Sequence, residues 1–261
     1  MLKRMIFSVI GFYFLAAGYI YFTQDEQVFN QKAIEKQVKV SAQNVENIAL
    51  HVKDKVDLEG VYRKANHENA PLVIYFGGNA DDATQFVLHV KNLQPFDIVS
   101  FNYRGFVGST GTPSEKALFE DALKIYDTYA KERKVFVVGR SLGSGVASFV
   151  ASKRAVDGLV LITPYDSIAS MGKQKYPIFP IDFLLNHKFE TINYISTVKA
   201  KIAVIEVEND MTIPKYHLDK LLEKMPTKPL HVKLENTTHG KVLEHPDFEQ
   251  TMQTILGKFS E

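Results

Sequence analysis

Gly139-Arg140-Ser141-Leu142-Gly143 is the stretch from which the rest of the chain is read. Val135-Phe136-Val137-Val138 precedes it, a β-branched and aromatic run typical of a buried strand. Gly145 to Lys153 follows it and reads as a helix with Val146, Ala147, Val150 and Ala151 inward. A serine between two glycines on a strand-to-helix turn is the nucleophile-elbow pattern. The turn is tight, so side chains at Gly139 or Gly143 would collide with nearby backbone. Ser141 is thereby expected at the carboxyl end of a central strand, over a helix amino terminus that favours negative charge. The alternative is a glycine-rich turn carrying an ordinary serine.

Outward from this turn, the same strand-then-loop unit recurs. Leu72 to Phe76 is an apolar strand ending in Gly77-Gly78-Asn79-Ala80, and Asp81 to Leu93 is expected as an amphipathic helix on Phe86, Val87, Val90 and Leu93. Ile98 to Phe101 leads into the glycine-containing loop Asn102 to Gly111, in which Arg104 is expected to hold the loop by an ion pair. Pro113-Ser114-Glu115 opens a helix expected to reach about Glu132. Leu159 to Ile162 ends at Thr163-Pro164-Tyr165-Asp166, and Ile202 to Ile205 ends at Glu208-Asn209-Asp210. Tyr216 to Met225 reads as a helix, His231 to Leu234 as the last strand, and Phe248 to Phe259 as the closing helix. Asn47 to Val52 and Gly60 to Arg63 alternate as an antiparallel edge. Strand alternating with helix means a mostly parallel α/β sheet with helices on both faces. The apolar, proline-broken stretch at about 167–198 is expected to be a small cap over Ser141, with a connecting helix on the sheet as the alternative.

Ser141, Asp210 and His239 each follow the end of an expected strand, in the order serine, acid, histidine. Serine needs an imidazole to take its proton, and the imidazole needs a carboxylate to set its tautomer. Asp166 also follows a strand and is a competing acid. Of the other histidines, His51, His67, His89, His187, His217, His231 and His245 read as packing or surface residues. The amide of Leu142 is the natural first oxyanion donor, and Asn79 the second, unless its loop is a plain turn. No histidine and carboxylate share metal-binding spacing such as H-E-x-x-H, so neither metal nor cofactor is expected.

Composition sets wider bounds. The 261 residues suffice for one large α/β domain, and 45% hydrophobic with 23% charged residues is a globular balance. A net charge of +1 with interspersed signs argues against a nucleic-acid partner. The absence of Cys excludes disulfides and a thiolate nucleophile. Met5 to Phe22 is an uncharged, mostly apolar run between Lys3-Arg4 and Asp25-Glu26. As a helix it is about 27 Å long, near the hydrocarbon thickness of a bilayer. Residues 1–23 are therefore expected as an uncleaved single-pass anchor, amino end cytoplasmic and the rest across the membrane. Cleavage near Ala16-Ala17-Gly18 is the rival. Residues 24–44 are expected as a connector, and 45–261 as the catalytic domain.

Together the elbow, Gly77-Gly78-Asn79-Ala80, Asn102-Tyr103-Arg104-Gly105, Tyr165-Asp166-Ser167, the Asp210 loop and His239 resemble the α/β-hydrolase superfamily. The branch they resemble is the membrane-anchored α/β-hydrolase-domain proteins, which include protein depalmitoylases. The resemblance implies a serine hydrolase of esters or thioesters, with Ser141, Asp210 and His239 as its triad. Many members of the branch have His-Gly-Asn where this chain has Gly77-Gly78-Asn79. That change alters loop packing and leaves the backbone amide. The expected substrate is a lipid-like acyl ester or thioester, or an acylated protein. The rival readings are a serine peptidase of related fold and a non-catalytic, membrane-tethered binding protein.

Overall fold

The computed structural model describes all residues except 35–37. Eight strands form one sheet: β1 (Val45–Val52), β2 (Val56–Arg63), β3 (Leu72–Phe76), β4 (Asp97–Phe101), β5 (Val135–Arg140), β6 (Gly158–Ile162), β7 (Lys201–Asn209) and β8 (Leu230–Thr238). Their order is β1-β2-β4-β3-β5-β6-β7-β8. The β1–β2 and β2–β4 pairs are antiparallel, and the remaining pairs are parallel. Every residue of β3, β4, β5 and β6 is buried, as expected where helices cover both faces.

The helices are α1 (Leu2–Val28), α2 (Phe86–His89), α3 (Glu115–Tyr129), α4 (Leu142–Lys153), α5 (Ile168–Lys175), α6 (Ile181–Leu184), α7 (Thr191–Ile195), α8 (Lys215–Lys224) and α9 (Phe248–Ser260). Ser114 caps α3, its hydroxyl accepting from the Ala117 amide at 3.2 Å. One apolar cluster carries Val137, Val146 and Leu161 with α3, α4 and α8. A second carries Val138 and Ile162 with Phe86 and α9, on the other face. This is the fold expected of an α/β-hydrolase: a mostly parallel sheet between two helical layers.

Three expectations change. First, Asp81 to Leu93 is not one helix. A 3-10 turn (Ala83–Gln85) leads into the single turn of α2, and the chain leaves helical geometry at Val90. The buried Arg63 guanidinium donates to the carbonyls of Val90 and Leu93, fixing the chain in that turn. The four apolar residues are nevertheless buried. Second, the 167–198 stretch has two jobs. The α5–α6 portion lies over the serine, whereas α7 packs on α4 as a covering helix. Gly145 permits that approach, since a Cβ there would sit 2.5 Å from the Tyr165 hydroxyl and 3.1 Å from Thr191 Oγ1. Third, the amino-terminal helix runs past residue 23 to Val28, with Gln24 and Val28 buried against the domain. The expected connector 24–44 therefore starts inside a packed helix, and its residues 35–37 lie outside those described.

Candidate active site

Ser141 sits where β5 gives way to α4, with φ 49° and ψ −120°. A positive φ at a non-glycine residue is strained, and the neighbours hold it. A Cβ at Gly139 would lie 2.2 Å from the Gly143 carbonyl oxygen. One at Gly143 would lie 2.1 Å from that of Phe76 and 2.5 Å from that of Gly77. Both positions need glycine because backbone presses on them from the turn itself and from the end of β3. The Ser141 amide donates to the Ile162 carbonyl at 2.9 Å, tying the turn to β6.

The side chains of Ser141, His239 and Asp210 form one hydrogen-bonded chain. His239 Nε2 lies 2.9 Å from Ser141 Oγ, and His239 Nδ1 lies 2.9 Å from Asp210 Oδ2. Asp210 leaves the end of β7, and its other oxygen accepts the amides of Thr212 at 2.9 Å and Ile213 at 2.7 Å. Both carboxylate oxygens are thus oriented. With a carboxylate on Nδ1, the imidazole proton belongs there, and Nε2 is free to accept the serine proton. His239 is buried beside β8, so the contact is shielded from bulk water.

Asp166, the competing acid, faces a different imidazole. Its Oδ1 accepts from His217 Nδ1 at 2.7 Å and from the Ser167 amide at 2.7 Å. Burial pushes the Asp166 carboxyl up, but hydrogen bonds from His217, Ser170 and the Ser167 amide together hold it below its usual range. His217 is fully buried, with Nε2 2.6 Å from Gln174 Oε1 on α5. The second pair therefore joins α8 to the cap.

The glycine pair after β3 abuts the elbow. Gly78 donates its amide to Asp81 Oδ2 at 2.7 Å, and Gly77 accepts from the Tyr103 hydroxyl at 2.9 Å. Asn79 follows, and it shares a cavity of about 480 Å³ with Ser141 and Leu142. Ile168, Met171, Ile181 and Leu185 of the cap line that cavity, together with Ile20, Gln24, Gln27 and Val28 of α1. Arg104 meets Asp121 through two contacts of 2.7 Å, both side chains buried, and stabilises its loop away from the cavity. No group of three or more His, Asp or Glu side chains placed for a metal ion occurs among the described residues.

Arg140 carries no functional signal in the sequence beyond a charge at the end of an otherwise apolar strand. Its guanidinium pairs with Asp81 and donates to the carbonyl of His239 at 2.8 Å. The pocket-facing positions of α1 and His217 were likewise unforeseen, because only packing brings them to the serine.

An uncharacterized protein of Mycobacterium tuberculosis is 30% identical over 179 residues, covering 64% of this chain and 63% of that one. A lysophosphatidylserine lipase of Rattus norvegicus is 26% identical over 234 residues, covering 76% of this chain and 58% of that one. The crystal structure of a bacterial membrane phospholipase A matches with a TM-score of 0.64 at 14% identity, over 99% of each chain. The fold is that of the α/β-hydrolases. The chain's sequence resembles the membrane-anchored α/β-hydrolase-domain proteins. It spans about three fifths of the length of the two curated relatives, 63% and 58%. No protein-family model matches it. The candidate groups sit on loops after the strands, at one rim of the sheet. One helix among the described residues, Leu2–Val28, is long and apolar enough to cross a membrane.

Proposed function

We propose that this α/β-hydrolase is a membrane-anchored serine hydrolase that cleaves acyl esters or thioesters of lipid-like substrates. The observation that carries the reading is the chain Ser141 Oγ, His239 Nε2, His239 Nδ1 and Asp210 Oδ2, with 2.9 Å at both links. In the first half-reaction Ser141 Oγ attacks the acyl carbonyl and His239 takes its proton. The amides of Leu142 and Asn79 hold the oxyanion. The tetrahedral adduct then collapses: the bond to the leaving group breaks, and His239 returns the proton to the departing oxygen or sulfur. Water, activated by the same imidazole, releases the carboxylic acid and restores Ser141. Asp210 stabilises the imidazolium in both halves.

The substrate class rests on the apolar cavity beside Ser141, lined by Ile168, Met171, Ile181 and Leu185. The similarity to a lysophosphatidylserine lipase and a membrane phospholipase A supports the same class. The apolar cavity favours an acyl chain over a peptide. Residues 1–23 would hold the protein in the bilayer, with Lys3 and Arg4 cytoplasmic and the domain at 45–261 on the opposite side. Protease protection in sealed membrane vesicles of known orientation tests that topology.

Activity-based labelling tests the chemistry. A fluorophosphonate probe should modify Ser141, and a panel of acyl esters should be hydrolysed in the same preparation. Labelling at another serine removes Ser141 as the nucleophile and overturns the reading, and no labelling at all leaves the non-catalytic binding protein.

A further inference from the structure

The carboxyl-terminal third of α1 belongs to the cavity as much as to the membrane segment. Ile20, Gln24 and Val28 fall on one face of the helix, are buried, and line the cavity that holds Ser141. Gln24 is bonded in both directions, its Nε2 donating to the Leu184 carbonyl at 2.9 Å and its Oε1 accepting the Asn186 amide at 2.6 Å. Gln27 Oε1 lies 3.3 Å from both Lys175 Nζ and the Tyr176 hydroxyl. These are bonds of a wall seated in place.

The contacts continue toward the amino end. Tyr13 stacks on Phe179 with ring centroids 4.9 Å apart, and its hydroxyl donates to the Ile178 carbonyl at 3.1 Å. Tyr13 lies midway along the apolar run Met5–Phe22, about 14 Å from its carboxyl end by helical rise. A bilayer that contains this run must therefore also contain the tip of the cap. The composition of that tip, Pro177-Ile178-Phe179-Pro180-Ile181-Asp182-Phe183, fits the requirement. Ile178 and Phe183 are 71% and 89% exposed, and the single carboxylate, Asp182, is paired with Lys173 at 2.7 Å. Lys175 sits at the level of Gln27, beyond Phe22, where a headgroup region would begin.

We infer that α1 is a wall of the acyl pocket and that the cap tip dips into the leaflet beside it, so that an acyl chain passes from the bilayer along α1 to Ser141. This deepens the proposed function and rests on it for the reaction. The ligand is the hydrocarbon chain of a bilayer lipid, and the pocket is incomplete without the amino-terminal helix.

Two readouts on the full chain in phosphatidylcholine vesicles test the inference. In the first, the ratio of kcat/KM for a dodecanoyl ester to that for a butyryl ester is compared among variants. Ile20→Trp, which fills the wall, should lower that ratio by about tenfold or more, the scale on which a few carbons matter in an apolar pocket. Ile20→Ala should raise it, so a poorly folding Trp variant does not end the test. Leu15→Trp, on the exposed side of α1, should leave it unchanged. In the second, palmitic acid with a photoreactive terminus should crosslink to residues 20–28 and 168–185. An unchanged ester ratio in both Ile20 variants, or crosslinks confined to residues outside both segments, overturns the inference. If the unsubstituted protein turns over no ester at all, the proposed function fails, while the crosslinks still read the wall.

Discussion

Arg140 and His239 lie 99 residues apart, and Nη2 of the first donates to the backbone carbonyl of the second at 2.8 Å. The same guanidinium pairs with Asp81, whose other oxygen accepts the Gly78 amide. One side chain beside the elbow serine thus braces both the turn that carries the imidazole and the glycine loop opposite it. Arg140→Ala would leave Asp81 half-buried without its cation and release the His239 turn. A loss of about 3 kcal/mol in urea unfolding is expected, together with a fall in ester turnover. Lysine should restore little, because an ammonium lacks the planar fork that reaches both partners. Full activity and stability in Arg140→Ala would remove Arg140 from this role.

The three-residue chain should behave as one unit. Ser141→Ala and His239→Ala are each expected to lower kcat on an acyl ester by roughly four to six powers of ten, and the double variant little further. Asp210→Asn should cost somewhat less. Asp166→Asn should keep turnover within about tenfold, since its imidazole partner is His217. Pre-steady-state and steady-state assays of the purified variants decide this. If Asp166→Asn were the more damaging of the two, the acid would be reassigned.

Glycine at 143 is required by sterics. Gly143→Ala places a methyl group 2.1 Å from a backbone oxygen of β3, so either the elbow or the strand must move. A destabilisation of about 3 kcal/mol and loss of fluorophosphonate labelling are expected. At Gly257, in α9, nothing lies within 4 Å of an added Cβ. There alanine should stabilise by about 0.5–1 kcal/mol through helix propensity. Thermal unfolding of the pair separates the two cases, and equal effects would contradict the packing argument.

The Asp166–His217 pair links stability to acid pH. The Asp166 carboxyl is held below its usual range in the folded state, so protonation favours unfolding. Its contribution is complete above the unfolded carboxyl value of about 3.9 and is lost as pH falls through the lower, folded value. Urea unfolding between pH 6 and pH 2 should show a decline below about pH 4 that is shallower in Asp166→Asn. Identical slopes in the two proteins would show that other carboxylates carry the acid sensitivity.

Much of the architecture was legible because its determinants are local. Five apolar residues in a row at Leu72–Phe76 and four at Leu159–Ile162 can satisfy burial only as interior strands. Ser114 before Glu115 caps a helix wherever the chain places it. The helix expected over Asp81 to Leu93 failed for a non-local reason: Arg63 arrives from β2 and binds the carbonyls of Val90 and Leu93. The small cap was half legible, because proline and apolar content marks 167–198 as irregular without saying that α7 covers α4.

By itself the sequence determined the strand–turn–helix units, the glycines at 139 and 143, and an apolar amino-terminal run long enough for a bilayer. Each follows from short-range sterics and from the periodicity of apolar residues. Only the tertiary structure decided which carboxylate meets which imidazole. Asp166 and Asp210 both follow strands, and only the packing of α8 and the turn after β8 pairs the first with His217 and the second with His239. It also decided that Ile20, Gln24 and Val28 of α1 line the cavity beside Ser141, which they do only once the cap folds against them. Contacts between residues far apart in the chain depend on how whole elements dock, which no local pattern encodes.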